Sequence, residues 1–229
     1  LGNRVVASAL FSSVDTTIEI PLVAIAPTTP SGEVSAESLG VKERIGRGTS
    51  RYRGSIPSRK HNIKITADRL DGILIKPSDT FSFNDTVGDV SKETGYKEAY
   101  VIKDGRTVLG DGGGVCQDST TLFRAVLAAG LPVVERRAHS YRVGYYEQDS
   151  APGFDATVFA PSPDLKIKND TPASILIQTE VDQENNLLYF RFYGKSDRKK
   201  IDISPVTVYD VVPPLPEIRQ DDPTLKKGL

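Results

Sequence analysis

Among 229 residues the chain has one cysteine, two histidines, and neither methionine nor tryptophan. A single thiol rules out an internal disulfide. One cysteine with two histidines falls short of the ligands a structural zinc site needs, so no metal is expected, and no cofactor motif is present. No apolar run reaches about 18 residues, the length of a membrane-spanning helix. The longest, Ala125 to Val134, is broken by Gly130 and Pro132, so no span is expected. Neither sign of charge dominates: 29 basic and 30 acidic residues leave a net charge of −1. Basic residues gather only in short clusters such as Arg51–Arg53 and Arg198-Lys199-Lys200, which gives nucleic acid no electrostatic footing. The absence of methionine, with leucine first, is expected of a piece of a longer product.

What is present suits a globular protein, with 38% apolar and 26% charged residues. The pattern predicts an α+β fold, a mixed or antiparallel sheet with a cysteine-bearing helix on one face. Residues 1–44 read as the end of a β-rich unit, with a strand over 16–23, a turn at Pro27 to Gly32, and a helical turn from Ser35 ending at Gly40. The main domain is expected over 45–197. In it, 41–52 runs extended across the surface, and a helix covers 62–71 with Asn62 as its cap. Short strands are expected at 73–75 and 81–84, and a hairpin at 100–102 and 106–109 around Asp104-Gly105. A helix spans 115–129, ended by Gly130 and Pro132. Strands are expected at 133–136, 141–145 and 155–159, followed by a hairpin of 173–180 with 187–193. Residues 198–229 are read as one more strand, at 201–212, and a proline- and charge-rich linker tail.

The most informative stretch is Gly112-Gly113-Gly114-Val115-Cys116-Gln117. Glycines let the backbone turn tightly and approach a neighbour closely. A helix N-terminus then offers N–H groups and a dipole that favour a thiolate. With His139 and Asp155 downstream, the chain carries a cysteine nucleophile, a histidine base and an orienting carboxylate in that order. The same residues also admit plainer roles. Cys116 shares a helical face with Thr120, Phe123 and Leu127, as a core residue would. His139 can be a structural histidine, and Asp155 can cap a turn after Gly153. The Gln117 N–H can serve an oxyanion hole or merely continue the helix. Ser119, Thr120 and Thr121 can meet substrate or bond back one turn. The Arg51, Arg53, Arg59 and Lys60 cluster can bind an anionic glycan or carboxylate, or be solvated. Tyr141, Tyr145 and Tyr146 can stack on sugars or complete a sheet, and His61 reads as exposed.

Several segments together resemble the VanW family. They are Pro77-x-x-Thr80-Phe81-Ser82-Phe83-Asn84, Gly95-Tyr96-Lys97-Glu98-Ala99 and the glycine–cysteine string. Ala129-Gly130-Leu131, Glu135-Arg136, His139-Ser140, Asp155-Ala156-Thr157-Val158 and Asn169-Asp170-Thr171 follow. Asp118 and Arg124 depart from the usual pattern. The resemblance implies a bacterial cell-envelope protein, secreted or anchored, with a cell-wall polymer such as peptidoglycan as partner. It also implies that residues 1–44 are the end of a preceding peptidoglycan-binding domain. The order of cysteine, histidine and aspartate is loosely similar to transglutaminase-like and papain-like thiol enzymes. Two functions are expected: binding or organising the wall polymer, or a thiol-dependent amidase, peptidase or transpeptidase. The candidate catalytic residues are Cys116, His139 and Asp155. The candidate binding residues are Gly113, Gly114, Gln117, Arg59 and Asn84.

Overall fold

In a computed structural model of the protein, the described residues are 36–103, 106–196 and 200–213. The strand expected at 16–23, the Asp104-Gly105 turn and the tail from 214 onward lie outside them.

The chain folds as α+β, with antiparallel strand pairing throughout. The main sheet joins β1 (Glu43–Arg51), β9 (Leu187–Gly194), β8 (Ile175–Asp182) and β2 (Leu74–Ile75), in that order across the sheet. A smaller sheet joins β3 (Thr80–Ser82), β7 (Lys166–Lys168) and β6 (Val133–Glu135), and β4 (Glu98–Lys103) pairs with β5 (Arg106–Asp111) as a hairpin. The helices are α1 (Pro57–Leu70), α2 (Phe83–Val87) and α3 (Val115–Ala129). The β9 strand alternates strictly, sending Leu188, Phe190 and Phe192 into the core with Ile175 and Ile177 of β8. Ile63 and Leu70 of α1 and Leu122 of α3 close that core.

Several expectations are corrected. Residues 43–51 are an edge strand of the main sheet and an integral layer, where a surface run was expected. The reason lies in Gly46 and Gly48, whose missing side chains let α3 lie directly on β1. A Cβ at Gly48 would stand 1.9 Å from the Thr121 carbonyl oxygen. The Ser50 and Thr121 hydroxyls meet at 2.5 Å across the same contact. Helix α1 begins at Pro57, whose fixed φ suits the first helical position, and Asn62 sits buried mid-helix. The Asn62 amide group donates to the Lys97 and Gly113 carbonyls, and its oxygen accepts from the Lys97 N–H, tying α1 to β4 and to the glycine loop. Residues 141–145 and 155–159 form no strand. A 3₁₀ turn covers Gly144–Glu147, and Thr157 makes one isolated bridge to Arg137. This stretch is anchored mainly by side-chain bonds from α3, which override the β-propensity of its tyrosines and valines. Residues 200–213 also form no strand, and Tyr209 and Val211 stay exposed there.

One core residue is anomalous. Asp118 has no exposed surface, and neither carboxyl oxygen has a hydrogen-bond partner. Burial, opposed by the weaker pull of Arg59, holds its pKa well above the usual carboxyl range. The group is ionised in the unfolded chain and must take up a proton on folding. The penalty is absent below the unfolded value of about 3.9 and grows as pH rises.

Two outcomes are expected in urea unfolding. Gly48→Ala should cost about 3 kcal/mol or more, because backbone rather than a flexible side chain blocks the added methyl. Asp118→Val should gain about 1–3 kcal/mol at pH 7, a gain that shrinks toward pH 3.

Candidate functional site

The site is built around the head of α3. Gly112 (φ 76°) and Gly114 (φ 119°, the N-cap) take left-handed conformations closed to most side chains. A Cβ at Gly113 would lie 2.7 Å from the Ala99 backbone. The three glycines thus turn the chain between β5 and α3 while touching β4, and Cys116 falls in the first turn of the helix. Its side chain is half-buried, with Sγ 3.5 Å from the Val158 carbonyl oxygen and 3.8 Å from the Thr157 hydroxyl.

The hydroxyls of α3 place the facing segment. Ser119 donates to the Ala156 carbonyl at 2.7 Å, and the Ala156 N–H donates back to Thr120 at 3.1 Å. The peptide held this way lies between Asp155 and Thr157, so α3 aims one toward His139 and the other toward Cys116. Thr121 takes the local one of its two expected roles, bonding back to the Gln117 carbonyl. Arg124, one turn further on, donates to the carbonyls of Phe154, Thr49 and Tyr146 and to Asp149.

Asp155 Oδ2 accepts from the His139 backbone N–H at 2.8 Å and meets His139 Nδ1 at 2.6 Å. Arg136 donates to the Asp155 backbone carbonyl and to Oδ1, which fixes the carboxylate from its other side. With Nδ1 engaged by Asp155, the other imidazole nitrogen remains, and His139 and Cys116 each shift the other's ionisation. Burial is the largest single influence on both and disfavours charge. For Cys116, the His139 hydrogen bond and charge, with Val158 and Thr157, reverse it and bring the thiol below its ordinary value. For His139, Asp155 and Cys116 outweigh burial and push the imidazole up to about 9. Burial likewise works against the Asp155 carboxylate, but hydrogen bonds from His139 keep it below its usual range. Each group thus favours the charged form of the other, a thiolate beside an imidazolium.

Tyr146 was not expected in this role. Its buried ring lies 4.7 Å from the His139 ring at 32° and limits the imidazole's movement. A cleft of about 230 Å³ opens beside it, lined by His139, Asp155, Tyr141, Arg142, Glu147 and Phe154 among others. Cys116 is not part of that lining.

The remaining candidates serve elsewhere. The Gln117 N–H donates to the Gly114 carbonyl at 2.8 Å, so it is not free for an oxyanion. The Gln117 side chain is fully buried and bonded to Arg59 and Ser50. Arg59 is buried and does not join the surface cluster. It donates to Ser55 at 2.6 Å and Gln117 at 2.8 Å, with the Tyr145 ring 4.2 Å from its guanidinium carbon. Asn84 bonds the carbonyls of Pro161 and Pro163, and its N–H bonds Asp164, so it orders that loop. His61 is half-buried and meets the Gly95 carbonyl. No group of metal-ligating side chains occurs among the described residues.

Alkylation by iodoacetamide reads the pair directly. The wild-type thiol should react as a thiolate well below pH 8.5, whereas His139→Ala should move the midpoint up and slow reaction at pH 7 by about tenfold or more. Asp155→Asn should move it in the same direction by less, because it removes a support of the imidazolium and not the base itself.

Comparison with known proteins bears on the whole arrangement. No solved structure matches the chain. The protein YoaR of Bacillus subtilis, described as uncharacterized, is 38% identical over 163 residues, covering 71% of this chain and 52% of its own length. The vancomycin B-type resistance protein VanW of Enterococcus faecalis is 36% identical over 124 residues, covering 54% of this chain and 45% of its own length. The chain thus spans about half the length of these relatives. The family model described as VanW like protein matches residues 58–193, from the first turn of α1 to the end of β9, and the segment includes Cys116, His139 and Asp155. This chain belongs to the VanW family.

Proposed function

We propose that the chain is a thiol-dependent acyl-transfer enzyme acting on amide bonds of a cell-wall polymer at the bacterial envelope. The observation that carries the chemistry is His139, held on Nδ1 by Asp155 at 2.6 Å, with Asp155 and Thr157 flanking the one peptide that the cysteine-bearing helix pins, and Cys116 Sγ 3.8 Å from the Thr157 hydroxyl. The choice of polymer rests on kinship with a vancomycin resistance protein and on the cell-envelope character the family resemblance implies. The Cys116 thiolate attacks the amide carbonyl carbon, forming a C–S bond, and the carbonyl oxygen takes the negative charge. As the C–N bond breaks, the His139 imidazolium gives its proton to the departing amine, and a thioester remains. Water then yields hydrolysis and a second amine yields transpeptidation. The Val115 and Gln117 N–H groups are spent on the Gly112 and Gly114 carbonyls. The Cys116 N–H, between them in sequence, takes part in neither bond and is the backbone donor for the oxyanion.

A second reading is favoured by one observation, the absence of Cys116 from the lining of the 230 Å³ cleft. On that reading the cleft holds a segment of wall polymer without cleaving it. Soluble peptidoglycan fragments incubated with wild type and Cys116→Ala separate the two. The enzymatic reading expects a thioester adduct on the wild-type chain by mass spectrometry and a loss of turnover of about 10³-fold or more in the variant. Equal binding by both proteins with no adduct and no turnover would leave the binding module.

A further inference from the structure

We propose that the outer face of the main sheet, where Arg44, Arg47 and Arg51 of β1 stand beside Tyr189 and Arg191 of β9, is a binding surface for a carboxylated glycan. It lies on the far side of β1 from α3 and does not depend on the chemistry of Cys116. Gly46, Gly48 and Ser50 turn toward α3. Strand alternation therefore turns Arg47, Thr49 and Arg51 the other way, and both arginines are exposed. An irregularity of register between Arg44 and Gly46 returns Arg44 to the same side, opposite Tyr193. On β9, Tyr189 and Arg191 alternate with the buried Leu188, Phe190 and Phe192, so the two strands share one row of cations and rings.

Two features set this row apart from a merely solvated surface. Arg47 and Arg191 are directly opposed across the ladder, a pairing of like charges that costs stability. Both nevertheless hold to the same ring, their guanidinium carbons 4.8 and 5.1 Å from the Tyr189 centroid. Contact with the ring orders side chains that carry much rotamer freedom, so the cations are partly arranged before any partner arrives. The charges are also unevenly answered. Arg191 pairs with Glu180 of β8, whereas among the described residues Arg44, Arg47 and Arg51 pair with no carboxylate. In a chain of net charge −1, that is a local positive excess.

The chemistry of the occupant follows from these groups. The anion that Arg191 already holds on this face is a carboxylate, that of Glu180, and the planar guanidinium fork matches such groups. Arg47 and Arg51 stand four residues apart on one strand, about 13 Å, so a partner that meets both carries charge at intervals along its length. Tyr193, opposite Arg44, adds a half-buried ring of the kind that packs against the C–H side of a sugar. Nucleic acid, held through roughly 6–10 phosphates, asks for more cations than these three.

The test titrates the full chain with three fluorescently labelled polymers at low salt: polygalacturonate, a carboxylated glycan; dextran, a neutral glycan; and polyglutamate, carboxylates without sugars. Wild type should bind polygalacturonate about tenfold or more tighter than either of the others, and less tightly as salt rises. Arg47→Gln with Arg51→Gln should weaken polygalacturonate binding about tenfold or more. Lys64→Gln with Lys92→Gln removes the same charge from α1 and from the segment before β4, and should change binding by less than about twofold. All four side chains are exposed, and matching urea midpoints check that each variant keeps the fold. Equal losses in the two double variants would trace binding to net charge and overturn the site. Polyglutamate bound as tightly as polygalacturonate would make the partner an acidic peptide and overturn the glycan assignment. Dextran bound as tightly would remove the arginines from recognition, and binding of none of the three would overturn the proposal outright.

Discussion

The head of α3 sits where it does because backbone, not side chains, fills the space around it. Gly112 and Gly114 take conformations closed to most other residues, and Gly113 lies against Ala99 of β4. At the other side of the helix Gly48 lets Thr121 come down on β1. These close approaches fix both the depth and the rotation of the helix. Everything at the candidate site is measured from that placement, including the direction of the Cys116 side chain and the row of hydroxyls facing Ala156.

The segment opposite the helix has little regular structure of its own. Between β6 and β7 the chain runs 30 residues with a 3₁₀ turn and one isolated bridge. It holds its shape through Ser119, Thr120 and Arg124 of α3 and through Arg136, which bonds Asp155 and whose guanidinium lies 4.9 Å from the Phe123 ring centre. Irregular backbone fixed by side-chain bonds suits a site, because its side chains can be aimed without obeying the alternation of a strand.

This division also explains what could be read from the sequence. Helix α3 was legible because its stop signals and apolar periodicity are local, and the β8–β9 hairpin because alternation and a polar turn lie within one short window. The start of α1 was missed because Pro57 marked it while Asn62, a good cap by type, was committed to Lys97 and Gly113 far along the chain. The strands expected at 141–145 and 155–159 failed for a related reason: their residues favour strands, but no ladder partner is available and α3 holds them instead. Cys116, His139 and Asp155 were named from residue type and order, and their meeting depends on tertiary contacts that order cannot supply. Arg59 was misjudged because charge alone suggested surface, whereas Gln117 and Ser55 give it partners inside. Tyr146 carried only the signal of a tyrosine near the histidine.

The hydroxyl pins on α3 have a consequence for how such a site can diversify. Asp155 and Thr157 flank a peptide fastened directly to the helix, while Tyr141, Arg142 and Glu147 belong to the wall of the cleft and lie outside that fastening. Asp155 thus belongs both to the fastened peptide and to the cleft, whereas the rest of that wall is held independently of the Ser119 and Thr120 bonds. Substitution at Tyr141, Arg142 or Glu147 can therefore reshape the cleft while the peptide between Asp155 and Thr157 keeps its place against the helix. A lineage carrying this helix can vary the shape of the cleft without disturbing the arrangement beside Cys116.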